Sequence, residues 1–154
     1  MTDNGVRVDC VPPFMVGAMW PVIGPLLTAG LLAGGDDLET VERVLREAMD
    51  GVFEGSCHIW VATEGQPPQI LGAFGSRICI DHQGRKVLEV SALGGKNLLR
   101  WGKALTRRLA EFGQLEGCEV LQGYGRRALV RVYENAQIVG KTPNGLSILE
   151  RALQ

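Results

Sequence analysis

Residues 87–122 read VLEVSALGGKNLLRWGKALTRRLAEFGQLEGCEVLQ. An apolar run, Val87 to Leu93, gives way at two glycines to a helical period, and Gly117 returns the chain to a second apolar run, Cys118 to Gln122. Leu98, Trp101, Leu105, Leu109 and Phe112 recur at helical spacing. They predict a core-facing stripe on a helix from about Asn97 to Leu115, with Arg100, Lys103 and Arg107 on another of its faces. Two strands joined through a helix, with no room for a hairpin, lie parallel in one sheet with a right-handed crossover.

Upstream, His58 to Ala62, Ile70 to Ile80 and Val87 to Leu93 read as three strands, separated by polar turns at Glu64–Pro68 and Asp81–Arg85. Short connections of this kind make an antiparallel meander. Before it, Val6 to Val11 is a short strand stopped by Pro12-Pro13. An apolar helix is expected from Pro21 at its first position to about Ala33, ending at Gly34-Gly35. A second helix is capped by Asp36 or Asp37 and carries Leu38, Val41, Val44, Leu45 and Ala48 on one stripe, ending at Asp50-Gly51. Downstream, Gly125 opens a helix through about Ala136. Gln137 to Gly140 and Leu146 to Leu153 close the sheet around the Pro143-Asn144-Gly145 turn. The predicted order is β-α-α-β-β-β-α-β-α-β-β: one α/β (α+β) domain over residues 1–154, with a mixed, mostly antiparallel sheet of about seven strands and four helices.

Composition fits that class. The 154 residues are 45% hydrophobic and 21% charged with a net charge of −1, which excludes a disordered chain and predicts no bulk attraction to nucleic acid or membrane. Charge is uneven: Asp36 to Glu54 is acidic, and Lys96 to Arg131 is basic. Cys10, Cys57, Cys79 and Cys118 form no CxxC pair, and His58 and His82 complete no ligand spacing, so no metal site is expected. Both histidines fall where solvated ones are common. Cys10 to Gly35 carries no charge over 26 residues. Its prolines (Pro12, Pro13, Pro21, Pro25) break a continuous spanning helix, which favours a buried core helix over a membrane span. Arg7 lies between Asp3 and Asp9, so the start does not read as a secretory signal.

Local sequence adds a resemblance. The residues that carry it are Trp20-Pro21 with Pro25-Leu26-Leu27, Asp37-Leu38-Glu39-Thr40-Val41, Ile59-Trp60-Val61-Ala62, Leu93-Gly94-Gly95 before Trp101, Glu116-Gly117-Cys118, and Gly125-Arg126-Arg127 with Arg131-Val132. In that order and spacing the chain resembles the GNAT N-acetyltransferases, in particular GNAT-like proteins encoded by bacteriophages. The resemblance implies an acetyl-CoA site where the fourth and fifth strands splay apart, with pyrophosphate on a Q/R-x-x-G-x-G/A loop at the next helix start. The matching loop is Leu93-Gly94-Gly95-Lys96-Asn97. It is shorter than that motif and lacks its leading Gln or Arg, so it reads either as a reduced phosphate cradle or as a tight turn with Asn97 as N-cap.

The same resemblance makes Tyr133 the candidate acid for the departing thiolate, although Gln137-Ile138 replace the Gly-Phe found four residues on. The other reading of Tyr133 is a half-buried aromatic with a wet hydroxyl. Glu89, inside the central strand, is the candidate base, sharing a face with Val87, Ser91 and Leu93, or else part of an exposed strip. No nucleophile–His arrangement is recognisable. The Arg100/Lys103/Arg107 stripe reads as a solvated face ahead of a nucleic-acid surface. Two functions follow. The first is a phage component with catalysis lost, contacting other phage structural proteins or itself, in the virion or the cytoplasm of the infected host. The alternative is an acetyl-CoA-dependent N-acyltransferase acting on an amine.

Overall fold

The computed structural model describes residues 5–125 and 133–153. Seven strands form one sheet: β1 (Arg7–Cys10), β2 (Cys57–Glu64), β3 (Gln69–Ile80), β4 (Lys86–Gly95), β5 (Val120–Gly125), β6 (Gln137–Lys141) and β7 (Ser147–Ala152), ordered β1-β2-β3-β4-β5-β7-β6. Every neighbouring pair is antiparallel except β4–β5, which is parallel. Among the described residues there are three helices, α1 (Pro13–Ala33), α2 (Leu38–Glu54) and α3 (Leu98–Leu115). The fourth expected helix, Gly125 to about Ala136, falls largely on residues 126–132, outside the described residues. Gly125 does not open it, because it ends β5, and Tyr133 to Ala136 form a turn into β6.

Strand alternation divides the core in two. Trp60, Phe74, Leu88 and Leu121 face α3, where Trp101, Leu105 and Leu109 are buried. Ile59, Val61, Ala73 and Ala92 face α1 and α2, meeting Val16, Ile23, Leu27 and Val52. The period-2 pattern of the strands and the helical stripe read from the sequence thus select the same two faces.

Three boundaries depart from the sequence reading. Helix α1 begins at Pro13, not Pro21, with Pro13 in the first turn and Pro21 and Pro25 inside the helix. Both inner prolines are exposed, as are Gly17 and Pro21, whose carbonyls lose their usual donors. Water reaches those carbonyls, so the prolines are tolerated on this side of the helix. Helix α2 runs past Gly51 to Glu54 and stops at Gly55, which has φ 87°. Gly51 is buried, and a Cβ there would meet Cys57 Sγ at 2.3 Å, so its role is close packing. Asp37 is the N-cap, its carboxylate accepting from the Thr40 amide at 2.7 Å. Finally, β4 continues through Gly94 and Gly95, and β5 lies at Val120–Gly125, later than Cys118–Gln122.

Candidate functional site

The parallel pairing of β4 and β5 is short. Val87, Leu88 and Glu89 pair with Val120, Leu121 and Gln122, and beyond that point the strands part. Among the described residues, the stretch from Val90 to Gly95 pairs only with β3, on the far edge of β4, and Gly123 to Gly125 pair only with β7. At the split β4 carries a bulge: Gly75 pairs with Ala92 and Ser76 with Val90, so Ser91 is the extra residue. A bulge bends its strand and interrupts alternation. Here it separates Glu89 from Leu93. Leu93 packs with the α3-side core, so it leaves the face expected to join it to Glu89 and Ser91, which still line one cavity together.

A cleft of about 460 Å³ opens on the α1 side of the split. Its walls are the C-terminal end of α1 with Asp36, Val90 to Leu93 of β4, Tyr124 of β5, and Asn144 in the β6–β7 turn. Leu31, Val90 and Leu146 make much of the lining apolar. Ser91 also lines a second cavity of about 590 Å³ beside α2, with Glu47, Asp50, Arg77 and Glu89.

Glu89 is buried between the two. Its Oε1 accepts from Arg77 Nε at 3.0 Å and its Oε2 from the Tyr124 hydroxyl at 3.1 Å. Tyr124 Oη also lies 3.1 Å from Gln122 Oε1. The Tyr124–Glu89 contact therefore closes the apex of the split, and the cleft lies just beyond it. Burial, reinforced by the Glu89 carboxylate, holds Tyr124 protonated well above the ordinary tyrosine range. The sequence reading does not single out Tyr124 as a site residue. The alternation Leu121, Gln122, Gly123, Tyr124 could have extended the strand and placed Tyr124 on the Glu89 face.

Tyr133 lies on the other face of the sheet, within the α3-side core, and it is not half-buried but fully so. Its ring rests on Gly123, where a Cβ would approach the ring and hydroxyl to 3.0–3.2 Å. Gly123 is the first β5 residue past the split, so the hydroxyl sits beside the gap between the strands. That hydroxyl is buried and has no hydrogen-bond partner among the described residues. Burial pushes its pKa up to about 12.

The expected phosphate loop takes a different form. Leu93, Gly94 and Gly95 are strand residues, leaving Lys96 and Asn97 as the connection to α3. A Cβ at Gly94 would lie 1.8 Å from Leu26 O, and one at Gly95 would lie 2.5 Å from Gly72 Cα. Their glycine character is thus used by α1 and β3, which press against β4. The Lys96 amide donates to Leu71 O. Lys96 and Asn97 are exposed, and Asn97, in the left-handed region at φ 56°, makes no side-chain cap to α3. The Arg100 amide donates to Asn97 O at 2.8 Å, while the Leu98 and Leu99 amides receive no side-chain cap at the positive end of the helix dipole. A groove of about 260 Å³ runs past Gly94, Gly95, Leu98 and Trp101. Trp101 does not fill the split, because it stacks near Phe74 and donates Nε1–H to Lys96 O at 2.8 Å.

The remaining sequence candidates lie elsewhere. Arg100 pairs with Glu64 and Arg107 with Glu134, so two members of the basic stripe are engaged in ion pairs. His58 is half-buried rather than solvated, edge-on to Phe112 at 4.7 Å between ring centroids.

No protein-family model matches the chain, and no curated protein matches it in sequence. Solved structures do. The spermidine N-acetyltransferase of Vibrio cholerae, in complex with CoA and spermine, superposes with a TM-score of 0.70 over 97% of this chain and 96% of that one, at 10% identity. A chain of the NatC complex bound to Gag peptide and CoA gives 0.67 over 97% and 99%, at 13% identity. A putative N-acetyltransferase from Lactobacillus plantarum gives 0.66 over 98% and 100%, at 15% identity. The fold of this chain is the GNAT acetyltransferase fold.

Proposed function

We propose that the chain is an acetyl-CoA-dependent N-acyltransferase acting on a small amine. The observation that carries this reading is the Tyr133 hydroxyl, buried without a partner among the described residues and beside the opening between β4 and β5. An unpaired buried hydroxyl is costly, and buried polar groups left unsatisfied often await a ligand. The residues fit the cofactor well at its thioester end, where Tyr133 stands. At its phosphate end they offer Lys96 and the Leu98 and Leu99 amides of α3. The cofactor would supply an acyl group activated as a thioester.

The chain's own residues supply the proton handling. Tyr133 would be the proton donor to the thiolate released when an amine nitrogen takes the acyl group, the C–N bond forming as the C–S bond breaks. With a pKa near 12 that proton is fully present at neutral pH. The amine must also lose a proton. Glu89 is held by Arg77 and reaches the cleft only through Tyr124, so Tyr124 passes its proton to Glu89 as its oxygen takes the one from the amine. Asp36 faces the same cleft and suits the approaching ammonium, while the apolar walls suit an aliphatic or aromatic body.

Thiol release from acetyl-CoA, measured across a panel of primary amines, tests the reading. Tyr133→Phe should slow turnover by about a hundredfold, within the usual range for a general acid, while acetyl-CoA binding stays as it was. Unchanged turnover would remove Tyr133 from the mechanism. A second reading keeps the fold for contact with virion proteins and drops catalysis. It draws support from Gly94 and Gly95, whose side-chain positions are filled by the chain's own backbone instead of opening toward a phosphate.

A further inference from the structure

A row of polar side chains crosses the sheet at the last parallel pair of β4 and β5. Arg77 stands opposite Glu89, Glu89 opposite Gln122, and Gln122 opposite Glu150 on β7. Partners in register project from one face of a sheet, so the four meet side by side where the split begins. Glu150 is held from the far side. Arg85, in the turn between β3 and β4, donates Nη1–H and Nη2–H to its two carboxylate oxygens at 3.2 and 3.1 Å, and is itself paired with Asp81 at 2.9 Å. Gln122 Nε2 donates to Glu150 Oε2 at 2.9 Å. A carboxylate that receives a guanidinium on both oxygens offers Gln122 an acceptor and no donor. The amide therefore turns Nε2 to Glu150 and Oε1 to Tyr124, whose hydroxyl oxygen lies 3.1 Å away.

That orientation leaves Tyr124 short of a proton. Among the described residues its hydroxyl faces two acceptors, Glu89 Oε2 and Gln122 Oε1, each at 3.1 Å, and it has one proton to give. While Glu89 is a carboxylate, one of the two contacts sets oxygen against oxygen with no hydrogen between. One further proton satisfies both: Glu89 then donates an O–H to Tyr124 Oη, and Tyr124 donates to Gln122 Oε1.

We propose that Gln122, oriented by Glu150, is a positioning residue that stabilises the proton-loaded state of the Tyr124–Glu89 pair. This role rests on acyl transfer to an amine being the reaction. There the amine's proton passes to Tyr124 Oη as the tyrosine's own proton passes to Glu89, so the pair ends one proton richer. The Gln122 oxygen receives the hydroxyl once Glu89 no longer accepts it. After the amide product leaves, Tyr124 releases a proton to water in the cleft and takes one back from Glu89, which restores the starting pair. Gln122 thus acts through Tyr124, which lines the cleft.

Steady-state kinetics with acetyl-CoA and a primary amine, alongside carbon-13 spectra of chains labelled at tyrosine Cζ, test the inference. The chain has two tyrosines, so Tyr133→Phe assigns the Tyr124 resonance. Gln122→Met keeps the side-chain length and removes the acceptor. Glu150→Gln keeps the shape of the row, but its new amide turns oxygen to Arg85 and N–H to Gln122, which reverses the Gln122 amide and presents Tyr124 with a donor. Both variants should lower kcat about tenfold, the scale of one hydrogen bond made in the loaded state alone, with KM for either substrate unchanged. Both should also shift the Tyr124 resonance of the ligand-free chain. Gln137→Ala, exposed on β6 opposite Glu150, should change neither. Wild-type kcat retained in both variants overturns the inference while acyl transfer stands. So does a Tyr124 resonance that neither variant moves, or a loss that falls on KM instead of kcat. Should Gln122→Met fail to fold, Glu150→Gln decides. A wild-type chain that releases no thiol with any amine overturns the acyl-transfer reading, and this role with it.

Discussion

At the scale of single residues, Tyr133 carries the argument, and it has a consequence for stability as well as for turnover. Its hydroxyl is buried and unpaired among the described residues, so removing it should help the folded state. Tyr133→Phe should raise the unfolding free energy by about 1 kcal/mol in denaturant titrations while lowering activity. A loss of stability would mean that the hydroxyl is satisfied in solution. His58 gives a pH test. Burial against Phe112 lowers its pKa below the ordinary 6.5, with Glu116 opposing weakly. Its Nδ1 lies 3.4 Å from Ser76 Oγ, which also accepts from Trp60 Nε1. The unfolded chain therefore binds a proton on His58 at a pH where the native chain does not, and stability must fall as pH drops below about 6.5. Unfolding titrations between pH 7.5 and 5 should show this slope, reduced in His58→Gln. An equal slope in both would assign it to other groups.

Among elements, α1 crosses β4 at backbone contact. A Cβ at Gly30 would lie 1.7 Å from Leu93 O and one at Gly94 1.8 Å from Leu26 O, so two backbones meet with no side chain between them. Neither carbonyl can move without breaking its helix or strand. Gly30→Ala or Gly94→Ala should each cost about 3 kcal/mol, read from the shift in denaturation midpoint. A smaller effect than Gly5→Ala, where a Cβ would meet open space but at φ 79°, would contradict this packing. The same contact explains what was legible in the sequence and what was not. Strand–helix–strand order, the meander and the α3 stripe follow from local periodicity, and all are present. The role of Gly94 and Gly95 depends on Leu26 and Gly72, which are distant in sequence, so a glycine pair before a helix reads as a loop. The Ser91 bulge is likewise invisible to alternation counted along one strand, and with it the true neighbours of Glu89. Two prolines inside α1 mislead for a related reason: propensity rules assume an average environment, and here both rings point to water.

For the molecule as a whole, the seven-stranded sheet carries the GNAT fold, and within it the parallel β4–β5 step splits beyond Glu89 and Gln122. The cleft, the Tyr124–Glu89 contact and the Tyr133 hydroxyl converge on that split from three elements. Glu89→Gln should keep the fold at a cost of about 1 kcal/mol, since Arg77 is half exposed and its ion pair is screened, yet it should remove the proton acceptor behind Tyr124. Turnover falling without a change in acetyl-CoA affinity is the expected pattern, and parallel losses of both would point to a structural role alone. The most direct test is calorimetric titration of the chain with acetyl-CoA. The account predicts saturable binding of one cofactor per chain, weakened about fivefold by Lys96→Glu, the scale of one exposed charge contact of ~1 kcal/mol. No saturable heat at ligand concentrations on the order of 1 mM would contradict it.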